Sequence, residues 1–365
     1  MRQIFAAVWF VVAAPLFAAE ATVQIVNAPA SGTLIIQVFD SPNAFGDFRN
    51  PTVESRFELT DGPTFQIGGL PAGTVAMIAF VDENDNGILD KNFIGIPKER
   101  LAISNDYRPK GPPVFQRAAI ELSAAGPNSI DLDLFRVLGE RGRLGVGAGV
   151  VGQSSPYVGS DETVLQPIPA ITYNGERLQW VGPNLQYGIV GSGKARLALS
   201  ASYRIGAYEE ADSPVLAGLG DREDTLLAGV GFRYELPGGV NLLARYEHDV
   251  LDRIGGGQGR VRLSKGLQAG IFRLVPQVSL NWLSEDLANH DFGVPASAAT
   301  VTRPAYSTGD AMSIELGFGS FIEITENWRA VVNLSVEQFG DDIGDSPIVD
   351  TDRVVRGFAA ITYVF

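Results

Sequence analysis

The sequence predicts an all-β protein: a C-terminal transmembrane antiparallel β-barrel of about 12 strands behind an N-terminal β-sandwich in the periplasm. Three observations predict it. The N-terminus has the form of an export signal. Residues 143–365 alternate polar and apolar side chains in strand-length segments. The chain ends on an aromatic strand, "RVVRGFAAITYVF".

The first element is the leader, residues 1–19. Arg2 precedes an apolar run from Ile4 to Phe17, and the small residues Ala18, Ala19 and Ala21 follow. That run is too short to span a bilayer as a helix, so it reads as a secretory signal peptide cleaved near Ala19 to Thr22. The exported chain contains no cysteine, which excludes disulfides, zinc–thiolate sites and cysteine nucleophiles. The full sequence's formal charge of −14, with no basic run, argues against nucleic acid as a partner.

Residues 22–137 form the second element, a compact antiparallel β-sandwich. "ATVQIVN", "GTLIIQVFD", "TVAMIAFVD", "AAIEL" and "SIDLDLF" read as strands between connections rich in Gly, Pro, Asn and Asp. Within it, "DENDNGILD" places oxygen-bearing side chains at Asp82, Asn84, Asn86 and Asp90, with Gly87 at the turn position. A calcium loop uses this spacing together with a backbone carbonyl, here that of Ile88, and a final bidentate glutamate. Phe93 occupies the glutamate position, so an ion would have to borrow a ligand such as Glu99 or keep water. The competing reading is a hairpin loop capped by Asx turns. The sequence leaves both open.

A linker, 138–142, leads to the barrel, 143–365. In "RLALSASYRIG" Leu197, Leu199, Ala201 and Tyr203 share one face, and Arg196, Ser200, Ser202 and Arg204 the other. "VNLLARYEHDV", "MSIELGF" and "RAVVNLSVEQ" repeat the pattern, with charges of both signs on the polar face. A closed barrel with lipid outside and a hydrated, ion-paired interior fits that pattern. Short connections fall at 174–176, 191–194, 237–239, 266–270 and 325–327, and long polar ones at 153–164, 207–222, 286–311 and 340–352. All long loops share one side only if 177–190 is two short strands bent at Gly182-Pro183-Asn184, which gives the even count. Tyr363 and Phe365 then form the terminal aromatic signal for barrel assembly.

Catalysis is not expected. His248 and His290 are the only histidines, and no G-x-S-x-G elbow occurs. "GGGQG" at 255–259 enters a strand instead of a helix, so it is no phosphate loop.

Residues 143–365 resemble the MipA/OmpV family of outer-membrane proteins. The resemblance is carried by Pro156, Tyr157, Gly159, Ser160 and Asp161, then Pro167, Pro169 and Tyr173, the glycine-spaced strands and Phe365. Residues 30–123 resemble the secreted domain of unknown function 2141 through Gly69, Pro71, Gly73, Asp82, Asn84, Asn86, Gly87, Asp90, Gly95, Pro97, Glu99, Ser104 and Asn105. The first resemblance implies a non-enzymatic scaffold in the outer membrane, in contact with its lipid and with murein-processing proteins or peptidoglycan. Two alternatives stay open. One is a narrow porin or uptake channel lined by Arg196, Arg204, Arg245, Arg329, Glu247, Glu315 and Glu337. The other is an anchored calcium- or carbohydrate-binding module.

Overall fold

A computed structural model describes residues 19–160, 163–191 and 193–365. The leader up to residue 18 and Asp161 lie outside the described residues.

Nine strands form the N-terminal unit: β1 (Ala19–Val26), β2 (Thr33–Phe39), β3 (Val53–Glu58), β4 (Thr64–Leu70), β5 (Gly73–Asp82), β6 (Arg100–Ile103), β7 (Ile120–Leu122), β8 (Asn128–Asp133) and β9 (Phe135–Arg136). One sheet runs β4-β1-β8 and the other β3-β2-β5-β6-β9, with β7 also on β5. Val23, Ile25, Leu34, Ile36, Val38, Phe65, Met77 and Val81 fill the space between them. The sandwich is not wholly antiparallel, as the sequence suggested, because β8 pairs with β1 in parallel. A crossover connection separates β8 from β1 in the chain, so no hairpin forces them antiparallel.

The large sheet is buried on its second face as well. Ile35, Phe39, Ile78, Phe80 and Leu101 point there and meet Phe45 and Phe115 from two short helices, α1 (Pro42–Asp47) and α2 (Phe115–Ala118). This explains why β5 reads as an unbroken apolar run, "VAMIAFV", and not as an alternation. The layer of α1 and α2 is what meets the barrel.

The barrel strands are β10 (Arg143–Ser154), β11 (Thr163–Asn174), β12 (Leu178–Val181), β13 (Asn184–Val190), β14 (Ala195–Arg204), β15 (Thr225–Leu236), β16 (Val240–Asp249) and β17 (Gly257–Lys265). They continue with β18 (Leu267–Ala269), β19 (Phe272–Leu283), β20 (Ala311–Glu323), β21 (Trp328–Phe339) and β22 (Arg353–Val364). Each pairs antiparallel with its neighbours, β10–β22 joins the two ends, and β17–β19 completes the ring. Because β18 only prolongs β17 past Gly266, the closed wall has twelve strands. Outward positions such as Leu199, Val230, Phe232, Leu316 and Leu334 are exposed to the surrounding medium. Inward Arg196, Glu247, Glu315 and Glu337 are buried. Lipid solvates the first set and the lumen the second.

The bend at Gly182-Pro183 makes β12 and β13 short, so β11 meets β12 only at Thr172–Asn174. Above that point one edge of β11 has no strand beside it. Ile171 O accepts the last bond, from Gly182 N at 3.3 Å. Peptide groups alternate sides along a strand, so Pro169 and Pro167 turn their nitrogens to that open edge. Having no N–H there, they leave no donor unpaired and discourage pairing with another chain.

Candidate functional site

Five short connections, joining β11 to β12, β13 to β14, β15 to β16, β17 to β19 and β20 to β21, lie at one end of the barrel together with Arg143 and Val364. The N-terminal unit is seated on this turn end. Asn43 Oδ1 accepts from Gln268 N at 2.8 Å, and Asp47 pairs with Arg273. Arg49 pairs with Glu235, whose second oxygen takes Arg196 of the wall at 3.1 Å. Asn92 Nδ2 donates to Gly175 O at 3.2 Å. Across the mouth, Tyr107 Oη donates to Glu323 at 2.5 Å, Lys110 Nζ to Val364 O at 2.9 Å, and Arg143 to Pro109 O at 2.6 Å.

These contacts come from every quarter of the rim, so the unit caps the mouth instead of hanging from a tether. Their burial makes them consequential. Glu235 is shared between Arg49 and Arg196, and Arg196 is 7% exposed. Lys91 sits close by, donating to Asp47 O at 3.3 Å; burial lowers its ammonium pKa, and Glu235 counters part of that. Burial likewise pushes the Tyr107 phenol upward, helped by its bond to the Glu323 carboxylate. Phe93 is buried against β13, where a Cβ on Gly188 would stand 2.6 Å from its ring. Glycine at 188 is therefore what lets this ring approach the wall.

At the opposite end the long loops fold over the barrel. Tyr157, Tyr208, Leu216, Phe292, Val294, Phe339, Ile343 and Ile348 form one buried cluster there. Tyr157 lies 4.9 Å from Tyr208 and 6.1 Å from Phe292, centroid to centroid. A third helix, α3 (Glu285–Phe292), delivers Asp291, which takes Arg204 from the lumen through both oxygens, at 3.2 and 2.5 Å. Pro156 O accepts from Asp350 N at 2.8 Å, and Ser160 N donates to Tyr157 O at 3.2 Å, with Gly159 at φ +73° between them. Pro156, Tyr157, Gly159 and Ser160 of the loop motif lie in this loop-end network.

The acidic loop lies on the capping unit beside Phe93. Asp82 accepts from the backbone N–H of Asn86 at 3.1 Å and of Gly87 at 2.6 Å. The Asn84 and Asn86 amides donate to the two oxygens of Asp90, at 2.7 and 3.2 Å. Ile88 N donates to Asn86 Oδ1 at 2.9 Å. Glu99 does reach the loop, and its oxygens accept from Glu83 N and Asp90 N at 3.0 and 2.9 Å. Burial raises its carboxyl above the usual range against the pull of those two amides, and Asp90 and Asp82 add to the rise. Protein donors thus take up these oxygens in a self-contained turn, and among the described residues no cluster of three or more metal-ligating acidic, His or Cys side chains occurs.

Tyr363 and Phe365 close the wall. Phe365 N donates to Leu144 O at 3.0 Å, and the two rings meet edge-on at 5.0 Å. Tyr363 also packs on Trp328 at 5.4 Å and accepts from Asn327 at 2.8 Å, forming part of an aromatic belt at the turn end. The sequence reading gave no sign of Asn43, Asp47, Arg49, Lys91, Asn92 or Tyr107 as a docking set. They sit in separate connections with no shared spacing, so only the fold brings them together.

Comparison with known proteins agrees with this architecture. The family model for MltA-interacting protein MipA matches residues 146–365. A second family, described as an uncharacterized protein conserved in bacteria (DUF2141), matches residues 23–130. Outer membrane protein OmpV of Vibrio cholerae serotype O1 is 28% identical over 159 residues, 44% of this chain and 62% of that protein. The chain thus spans about three-fifths of the first relatives it matches, OmpV and Omp26La of Vibrio anguillarum. The MltA-interacting protein of Escherichia coli K12 is 25% identical over 228 residues, 61% of this chain and 91% of that protein. Among solved structures the NanC porin covers 60% of this chain at 10% identity, with a TM-score of 0.33. The chain belongs to the MipA/OmpV family of outer-membrane proteins.

Proposed function

We propose that this protein is a non-conducting outer-membrane scaffold that holds its N-terminal domain, residues 22–137, rigidly at the periplasmic end for murein-processing machinery or peptidoglycan. The observation that carries the reading is the seating of that domain around the whole turn end through buried ion pairs. Bacterial barrels keep short turns in the periplasm, which puts the capped end inward and the Tyr157 cluster outward. A domain fixed in orientation presents its distal face at a constant distance from the membrane. The name of the Escherichia coli relative, MltA-interacting protein, supports a murein enzyme as the partner class.

The channel alternative draws support from charged side chains facing the lumen, but both ends carry a cover. For residues 82–90 the reading we favour is the turn, because the oxygens a cation would need already accept N–H groups. Cross-linking in intact cells tests the scaffold reading. A photo-crosslinking residue on the domain's distal face, at Ser129 or Asp131 on the exposed side of β8, should capture a murein-processing enzyme, whereas one at Leu334 on the lipid face should not. Capture at neither distal position would refute it.

A further inference from the structure

We propose that the lumen contains a binding site for the oxyanion of a small solute, formed by Arg233, Arg245, Arg260 and Arg262. These four guanidiniums project inward from three adjacent strands, β15, β16 and β17. Arg245 stands directly opposite Arg260, and Arg233 and Arg262 flank Leu243 on either side. Like charges facing each other across a sheet destabilise it unless something compensates.

Three other inward arginines are compensated at close range. Arg196 lies 3.1 Å from Glu235, Arg204 grips Asp291, and Arg356 is paired with Glu337. The set on β15–β17 differs. Arg245 reaches Glu247 only at 3.7 Å, and Arg260 and Arg262 share Glu315 at 3.6 and 3.7 Å. Arg233 meets no carboxylate within 4.0 Å among the described residues, and its one recorded bond is to Gln186 Oε1 at 3.5 Å. Four cations therefore divide two carboxylates, all beyond hydrogen-bond distance.

There is also room. Gly231 faces inward beside Arg233, and a Cβ there would meet nothing within 4 Å. The side chains of Arg245, Arg260 and Arg262 keep 20%, 40% and 25% exposure although they lie behind a closed wall. The concentration of positive charge is local, since the chain as a whole is strongly acidic. Guanidinium forks bind phosphate and carboxylate oxygens in pairs. Arg260 and Arg262 give their Nε–H groups to Asn281 Oδ1 and Ser279 Oγ at 2.7 and 3.1 Å. An oxyanion entering this space therefore meets the remaining guanidinium donors of three adjacent strands on one wall.

The test is calorimetric titration of the full chain, in lipid-free detergent micelles, with inorganic phosphate at constant ionic strength and chloride as reference. Lipid-free micelles keep headgroup phosphate out of the result. Saturable one-site phosphate binding is expected, weakened about tenfold by Arg233→Gln and again by Arg262→Gln, roughly the loss of one charge-assisted hydrogen bond each. Arg353→Gln, on the exposed loop end, should leave it unchanged. Arg233→Gln orphans no carboxylate, so its heat-shifted migration in gels should match the wild type. Absence of saturable binding by the wild type, or equal binding by a folded Arg233→Gln, would overturn the proposal.

Discussion

Replacing Glu235 by alanine is the sharpest perturbation of the docked domain. The carboxylate joins Arg49 of the cap to Arg196 of the wall, and Glu235 and Arg49 are only 12% and 23% exposed. Removing one member of a buried ion pair costs about 3–5 kcal/mol because it strands the other charge. Arg49 keeps some access to water, so the low end, about 3 kcal/mol, is the expected loss of docking free energy. At about 1.4 kcal/mol per decade this is roughly a hundredfold shift toward the undocked state. The interface supplies its own control. Lys98 and Glu176 also bridge cap and barrel, at 3.4 Å, but are 40% and 65% exposed. An exposed pair contributes about 0–1 kcal/mol, so Glu176→Gln should shift docking less than about fivefold. The assay is amide hydrogen exchange in micelles at Gln268, whose N–H donates to Asn43 of the docked cap. Exchange there should accelerate roughly a hundredfold in Glu235→Ala and little in Glu176→Gln. Equal acceleration in the two variants would refute the assignment of the buried pair as the anchor.

Three further outcomes follow from the same contacts. Asp82→Ala should destabilise the fold without any metal, by about 1–2 kcal/mol as when a backbone-capping side chain is lost, and millimolar calcium should leave wild-type melting unmoved. A calcium-dependent rise that Asp82→Ala abolishes would revive the metal reading. Glu99 has a folded pKa above its unfolded value, so its contribution is fully present below about pH 4.3 and is lost as pH rises through the folded value. Thermal melts from pH 4 to 8 should therefore show wild type losing stability relative to Glu99→Gln as pH increases, and the opposite slope would contradict the burial argument. Tyr157→Ala should cost about 3–5 kcal/mol of packing at the loop end. Trypsin should then cut after Arg222 within 205–224 while the barrel keeps its heat-shifted migration; unchanged loop resistance would show that the cluster does not hold the loops.

Much of the barrel is legible in the sequence because lipid and lumen impose opposite demands on alternate residues. Arg245, Glu247 and Asp249 against Ala244, Tyr246 and His248 state the inward and outward faces of β16 without ambiguity. Even the two short strands follow from Gly182-Pro183, since a glycine at positive φ followed by a proline with no N–H to donate favours a bend there. The sandwich is less readable. β3 and β4, "VESRFE" and "TFQIGGL", are short strands that the reading left among the connections, and β6 has only four residues. The acidic loop shows a different limit. Phe93 reads as a missing calcium ligand only when the loop is judged alone. In the fold it is a buried ring facing Gly188, ninety-five positions away in the chain. Docking residues such as Arg49 and Tyr107 carry no periodicity, and what makes them functional is a partner surface that local sequence does not contain.

The central claim, that the domain seals the barrel, is tested most directly by single-channel recording in planar bilayers. Wild-type protein should insert with the heat-shifted migration of a folded barrel yet show no discrete conductance steps. The double variant Glu235→Ala with Glu323→Ala removes buried anchors on two sides of the mouth and should raise step frequency or amplitude if the loop cluster is also opened by Tyr157→Ala. Steady ohmic steps from the unmodified protein would contradict the account.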